Sequence, residues 1–158
     1  MIVFRDATRK DCAFLSSLFY NAKYARFFPE GSMPPARWEA RFPEIEGMRN
    51  FIVLDTLRRN SSGIGWLLYE NKGDVCHLHR LLMRADLMGT GLGFYAFEVF
   101  LSHLEDSVRT IRINVHERNE HAIAFFTRYG FTATGEEEMV RVHDEDVRHV
   151  VMTYALPK

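Results

Sequence analysis

Apolar and polar positions change their spacing several times along the chain, and each change predicts an element. Residues 2–5 are a short apolar run that reads as a strand. Thr8 then opens Thr-Arg-Lys-Asp, with Asp11 three positions on. This predicts a capping box, with Asp in the place of the usual Glu or Gln. Phe14, Leu15, Leu18, Phe19 and Ala22 follow at helical spacing and predict an amphipathic first helix. Ser32 with Pro34 and Pro35 predicts the start of a second, short helix, because proline fits a first turn. Trp38 and Phe42 fall on one face of it. Residues 51–55 read as a strand, Asn60-Ser61-Ser62-Gly63 as a turn, and Ile64–Glu70 as a further strand. Asn71-Lys72-Gly73-Asp74 predicts a hairpin turn into a strand over Val75–Met83.

Beyond Met83 the pattern changes. Glycines at 89, 91 and 93 lead into a helix of about four turns, expected to end near Val108. Ile111, Ile113 and Val115 alternate with polar residues and predict a strand. Asn119 caps a helix carrying Ala122, Phe125, Phe126 and Tyr129, and Gly130 stops it. Strands are expected at 139–142 and 147–156. The acidic runs Glu136–Glu138 and Asp144–Asp146 beside them read as solvated edge protection. The order predicts a mixed α/β (α+β) fold, a sheet with helices packed on it.

The chain has 158 residues, enough for one domain over 1–158 with its own core. Apolar residues at 47% with charged residues at 26% exclude a disordered chain. Twenty Lys and Arg stand against 21 Asp and Glu, so no global field favours nucleic acid or an anionic membrane. Arg58-Arg59 is too small a basic patch to change that. No apolar stretch is long enough to span a bilayer. Two distant cysteines, Cys12 and Cys76, and an N-terminus without signal-peptide character predict a cytoplasmic protein. The seven histidines show no HExxH or other ligand spacing, so no metal site is expected. Aromatic residues are mostly phenylalanine, 13 of them against 6 tyrosines, which favours packing over hydroxyl chemistry.

The segment Met88-Gly89-Thr90-Gly91-Leu92-Gly93-Phe94 follows a strand and opens a helix. Alternating glycines let successive backbone N–H groups turn inward as a nest for an anion such as a pyrophosphate. It is not a dinucleotide fingerprint, because Phe94 stands where a third spaced glycine is needed, and it lacks the GK[ST] of a P-loop. With Asn119-x-x-Ala122-x-x-Phe125-Phe126-x-x-x-Gly130-Phe131 about 30 residues on, nearly the whole chain resembles the GCN5-related N-acetyltransferases (GNAT). The resemblance implies a mostly antiparallel sheet splayed at one strand, with acetyl-CoA in the gap. It implies that the pantetheine arm pairs with the backbone of Leu81, Leu82 and Met83. It places the pyrophosphate on the N–H groups from Gly89 to Phe94, with Asn119 also reaching the cofactor.

Two positions depart from the family. Met88 stands where Gln or Arg heads the glycine motif. Phe126 stands where the family keeps a tyrosine, the proposed acid for the departing thiolate, and nearby Tyr129 reads as a packing residue. The position matching the family's strand-borne carboxylate base is His77, and His79 projects to the same face two residues on. An imidazole of ordinary pKa near 6.5 is a competent base at pH 7. His116 and His121 flank the second motif and are less well placed. Phe27, Phe28 and Trp38 lie where the family builds its acceptor pocket. The resemblance thus implies direct acetyl transfer from acetyl-CoA to a primary amine of a small molecule or protein, in a ternary complex and with homodimerisation common. The alternative is a GNAT-fold CoA- or acyl-CoA-binding module that transfers little, which the loss of the tyrosine favours.

Overall fold

A computed structural model describes residues 1–20, 22–58 and 63–157, so Arg59 and the expected turn residues Asn60, Ser61 and Ser62 lie outside it. Strand β1 (Ile2–Asp6) leads to Thr8, whose N–H donates to Asp11 Oδ2 at 2.8 Å while its hydroxyl accepts from the Lys10 N–H. The expected capping box is therefore formed, and Arg5 locks Asp11 with two bonds of 2.9 Å. The first helix is shorter than its apolar spacing predicts. Helix α1 (Cys12–Leu18) stops where the Phe19 N–H bonds back to Ser16, and α2 (Ala22–Ala25) is a separate turn. The tightened i→i−3 bonding ends the helix there. Helix α3 (Pro35–Ile45) begins after Pro34 and buries Trp38, Phe42 and Ile45.

The meander follows as β2 (Arg49–Asp55), β3 (Gly63–Lys72) and β4 (Val75–Met83). Helix α4 (Leu92–His103) ends five residues before the expected Val108. Ser102 Oγ and His103 Nδ1 both turn back to the Val99 carbonyl, and this local bonding competes with further helix. Strand β5 (Thr110–His116) and helix α5 (Glu120–Tyr129) come next, then β6 (Thr132–Val142) and β7 (Glu145–Ala155). β6 starts well before the predicted 139. Its first half is polar because it is the sheet edge, and the exposed Glu136–Glu138 run sits within it.

The seven strands form one sheet in the order β1-β2-β3-β4-β5-β7-β6. All neighbours are antiparallel except β4 and β5. Side chains alternate between the two faces. One face carries Val53, Leu67, Tyr69, Leu78 and Ile111 against Ala96, Phe97 and Phe100 of α4. The other carries Ile52, Trp66, Leu68 and Leu82 against Leu15, Leu18, Trp38 and Phe42 of α1 and α3. Each fully buried phenylalanine or leucine contributes about 1.5–3 kcal/mol of transfer free energy.

Parallel pairing of β4 with β5 covers only Val75–Thr110, Cys76–Ile111 and His77–Arg112. Beyond those pairs the strands part. The cause is a bulge: Leu68 of β3 faces Arg80 while its neighbour Tyr69 faces Leu78, so His79 is an extra residue and β4 bends. On its other side β4 stays on β3 to the end, where Gly65 permits close contact. A Cβ at Gly65 would lie 2.6 Å from the Leu82 carbonyl oxygen and 2.8 Å from Met83 Sδ.

Gly65→Ala is therefore expected to destabilise the fold by about 1–3 kcal/mol, the cost of overpacking, and to push Leu82–Met83 outward. Denaturant unfolding measures this; an unchanged midpoint would show that β4 yields freely at this point.

Candidate active site

The parting of β4 from β5 opens a cleft of about 500 Å³. The Arg84 N–H bonds to Ile64 of β3, so by alternation the Leu81 and Met83 N–H groups point into the cleft, where β5 no longer meets them. These are the donors that an extended, amide-bearing arm would use. At the open end the chain turns through Met88–Gly91. Gly89 and Gly91 have φ of +81° and +84°, conformations that favour glycine, and a Cβ on either would meet nothing within 4 Å. Gly91 is the N-cap of α4, so the loop runs into the helix N-terminus, where Thr90 Oγ1 accepts from the Leu92 N–H at 3.4 Å and the N–H groups that follow have no helical partner. Edge, loop and helix end together fit an amide-containing arm followed by a diphosphate.

Most of the expected cofactor residues meet in this cleft. Leu81, Leu82, Met83, Met88, Gly89 and Gly91 line it. So do Gly93, Phe94, Asn119 and Phe126. Thr90 and Leu92 belong to the same loop but do not line the cleft. The Thr90 hydroxyl instead bonds to the Leu87 carbonyl, holding the loop from within. The Asn119 side chain accepts from the Ala122 N–H at 3.2 Å, so it caps α5 as well as facing the cleft.

Phe126 packs its ring against Phe125 and Phe131 at centroid distances of 5.2 and 5.1 Å. Tyr129 does not replace the missing hydroxyl. It lies among Phe97, Phe94 and Tyr154, and its O–H donates to Glu98 at 2.7 Å. Burial and that carboxylate raise its pKa far above the ordinary phenol value, so it holds its proton as a packing residue.

The side on which the acceptor is expected is the face of α1 and α3. Phe27 and Phe28 line the cleft, as expected, but Trp38 does not. Trp38 is 1% exposed and stacks on Phe19 at 5.6 Å, deep in the core. Its position on the buried face of α3 was readable from the spacing with Phe42. His77 and His79 both line the cleft. His77 sits at the last position of β4 that pairs with β5, and desolvation, then Lys72, His79 and Arg112, lower its pKa. His79, the bulge residue, donates Nε2–H to Glu70 at 2.9 Å.

Sequence reasoning missed a second pair. His116 of β5 and His149 of β7 face each other across the sheet with ring centroids 5.4 Å apart, and both line the cleft. His116 Nδ1 accepts from the Arg118 N–H at 3.1 Å, so its neutral form carries the proton on Nε2. His149 Nδ1 donates to the Val147 carbonyl at 3.2 Å, which leaves a lone pair on Nε2. Desolvation, more than neighbouring charge, lowers both pKa values. Only the strand alternation of β7 signalled His149, and its pairing partner was not readable.

Glu30 was also missed. It is 2% exposed and accepts two bonds from Arg80, at 2.8 and 2.9 Å. Burial raises its pKa, but the Arg80 charge and bonds, with Arg41, outweigh burial and hold it low. Arg80 also lies over the Phe28 ring at 4.8 Å. Arg112 pairs with Glu136 and Glu138 at 2.9 and 3.4 Å. Among the described residues no Asp or Glu lines the cleft. No group of three or more His, Cys, Asp or Glu there could hold a metal ion. No helix among them is long and apolar enough to cross a membrane.

Comparison with known proteins agrees with this geometry. A family profile described as an acetyltransferase (GNAT) domain matches residues 16–156. The peptidyl-lysine N-acetyltransferase YjaB of Escherichia coli K12 is 29% identical over 76 residues, covering 48% of this chain and 46% of YjaB. The match thus spans about half of that curated relative's length. An acetyltransferase structure from Thermus thermophilus is similar at TM-score 0.75 and 23% identity, covering 99% of this chain and 97% of that one. The aminoglycoside acetyltransferase AAC(6')-Ib in complex with coenzyme A is similar at TM-score 0.73 and 19% identity, covering 98% and 95%. At these identities the solved structures show the shared fold.

His77, His116 and His149 all have lowered pKa values, so protonation favours the unfolded chain. Their contribution is complete above the ordinary histidine value near 6.5 and is lost as pH falls through the lowered values. The melting temperature is expected to drop between pH 7.5 and 5.5, by about 2–4 °C per kcal/mol of linkage. His149→Asn, whose amide still reaches Val147, is expected to flatten that drop. Parallel curves would show that His149 does not titrate in this way.

Proposed function

We propose, on the ground that this chain belongs to the GNAT acetyltransferase family, that it is an N-acetyltransferase moving an acetyl group from acetyl-CoA to a primary amine. The observation that supports this most is the free edge of β4, with its Leu81 and Met83 N–H groups, opening onto the Gly89–Gly91 loop. Bound acetyl-CoA would supply the acetyl group as a thioester, held by that edge and loop with Asn119 and Phe94 beside them. The backbone provides these contacts, so Met88 in place of a polar residue costs little.

An amine acceptor is protonated at neutral pH and must lose a proton before it attacks. His77 serves as the base in this reading, since its lowered pKa keeps it neutral and it lies on the acceptor side of β4. His79, tied to Glu70, assists it. Transfer is direct. Cys12 and Cys76 are both buried, and burial pushes the Cys76 thiol up to about 12, so neither serves as an acetyl-carrying nucleophile.

The cleft also bears on the acceptor. Three arginines line it, Arg80 and Arg112 paired with carboxylates and Arg128 on α5, and among the described lining residues there is no carboxylate to meet a second positive charge. Phe27 and Phe28 offer apolar surface. A monoamine with an apolar body fits this lining better than a polyamine. A second reading, a CoA-binding module that transfers little, is favoured by the apolar packing of Phe126 alone.

Calorimetric titration with acetyl-CoA is expected to show one site per chain; no binding at high micromolar ligand would contradict both readings. Release of free CoA thiol with an amine panel separates them, and apolar monoamines are expected to outpace spermidine several-fold. Preferred turnover of spermidine would overturn the acceptor assignment. His77→Ala is expected to lower kcat/KM by about 10²–10⁴-fold, most strongly at low pH where free amine is scarce. Full activity across pH would remove His77 from the mechanism.

A further inference from the structure

The ion pair with Glu30 does not use up Arg80. A guanidinium has five N–H donors in one plane. Nε–H and one N–H of Nη2 go to the two Glu30 carboxylate oxygens, at 2.8 and 2.9 Å. One N–H of Nη1 goes to the His79 carbonyl at 2.7 Å. Two donors remain, one on each terminal nitrogen, and among the described residues neither has a protein partner. The group is held in place as well: its central carbon lies 4.8 Å from the Phe28 ring centroid, and its side chain lines the cleft at 20% exposure.

Arg80 and His77 share one face of β4. Leu82 packs into the core of α1 and α3, and Arg80 alternates with it. Beyond the bulge, Cys76 and Leu78 pack into the α4 core, which turns His77 toward the side of α1 and α3 as well. The two residues are three positions apart, so their Cα atoms lie within about 10 Å along the strand. A small molecule can therefore meet both. A carboxylate on Arg80 would come near Glu30, but Arg41 Nη1 lies 3.7 Å from Glu30 Oε1 and supplies a second positive charge. The other acidic contact of Arg41, Glu44, is 72% exposed and screened by water. Two carboxylates would thus share two guanidinium groups.

We propose that the acceptor carries a carboxylate as well as its amine, and that Arg80 binds this carboxylate through its two remaining N–H groups. The inference rests on the acetyl-transfer reading above and narrows its acceptor to an amino acid with an apolar body. The amine faces His77, the carboxylate meets Arg80, and the apolar body lies against Phe27 and Phe28. Glu30 is the positioning residue, because its two bonds fix which donors of Arg80 are left over.

Acceptor pairs that differ only in the carboxylate test this on the parent protein. L-phenylalanine is compared with L-phenylalaninamide, and para-(aminomethyl)benzoate with its amide, by release of free CoA thiol. In at least one pair kcat/KM is expected to be about tenfold or more higher for the acid, the scale of hydrogen bonds between charged groups. Phenylalaninamide has the less basic amine and so more free base at neutral pH, which biases its comparison against the proposal. Arg80→Lys keeps the charge and loses the planar fork, so the acid-to-amide ratio is expected to fall to within about threefold of unity. The ratio is taken within one variant, so a general loss of activity cancels; an Arg80 that only supports the strand would lower both rates and leave the ratio intact. The parent comparison stands even if the variant fails to fold. No preference for either acid in the parent, or an unchanged ratio in Arg80→Lys, overturns the proposal while leaving acetyl transfer standing. A parent protein that acetylates no amine overturns both.

Discussion

A β-strand inside a folded protein must satisfy its backbone on both edges, and β4 does so on one side only. It bonds to β3 along its whole length but to β5 at just three residue pairs. Past His77 the outer edge is left to whatever enters the cleft. The rest of the structure is arranged around that missing partner. The His79 bulge bends the strand away, Gly65 lets β3 follow it closely, and the loop at Gly89 and Gly91 stands at the open end. A ligand carrying amides and a diphosphate would complete the sheet and meet the loop together. That is why the binding surface depends so little on side-chain identity.

The two walls of the cleft are chemically unlike. The α5 wall is a stack of rings, with Phe125 and Phe126 continuous with the core around Phe97. The facing wall, on the side of α1 and α3, is polar but nearly neutral. Its imidazoles at 77, 116 and 149 are all disfavoured as cations, chiefly by desolvation, and Arg80 and Arg112 are held by acidic partners. An ammonium entering such a site meets proton acceptors rather than fixed negative charge. That favours its deprotonation over its retention as an ion. The buried Glu30–Arg80 pair, with Phe28 beneath the guanidinium, holds the bulged segment of β4 against the turn after α2.

Much of this was legible in the sequence. The bounds of β4, the capping role of Asn119, the stop at Gly130 and the glycine loop follow from local rules of spacing, capping and φ, and local rules survive folding. The length of α4 did not follow, because Ser102 and His103 end it by side-chain bonds to one carbonyl. The first half of β6 was hidden because an edge strand has no need of apolar alternation. The resemblance puts Trp38 on the acceptor side, whereas its spacing with Phe42 puts it on the buried face of α3, where the structure has it. The His116–His149 pair and the Glu30–Arg80 pair were not readable at all. Each joins elements far apart in the chain, and a single sequence carries no register between such strands.

The central claim is that the free edge of β4 is completed by acetyl-CoA, and amide hydrogen exchange reads that edge directly. The measurement is the exchange rate of the Leu81 and Met83 amides with and without saturating acetyl-CoA, with the Leu82 and Arg84 amides, which face β3, as internal controls. Exchange at 81 and 83 is expected to slow by at least about tenfold on binding, with 82 and 84 little changed. Binding of acetyl-CoA that leaves 81 and 83 as exposed as before would contradict the claim.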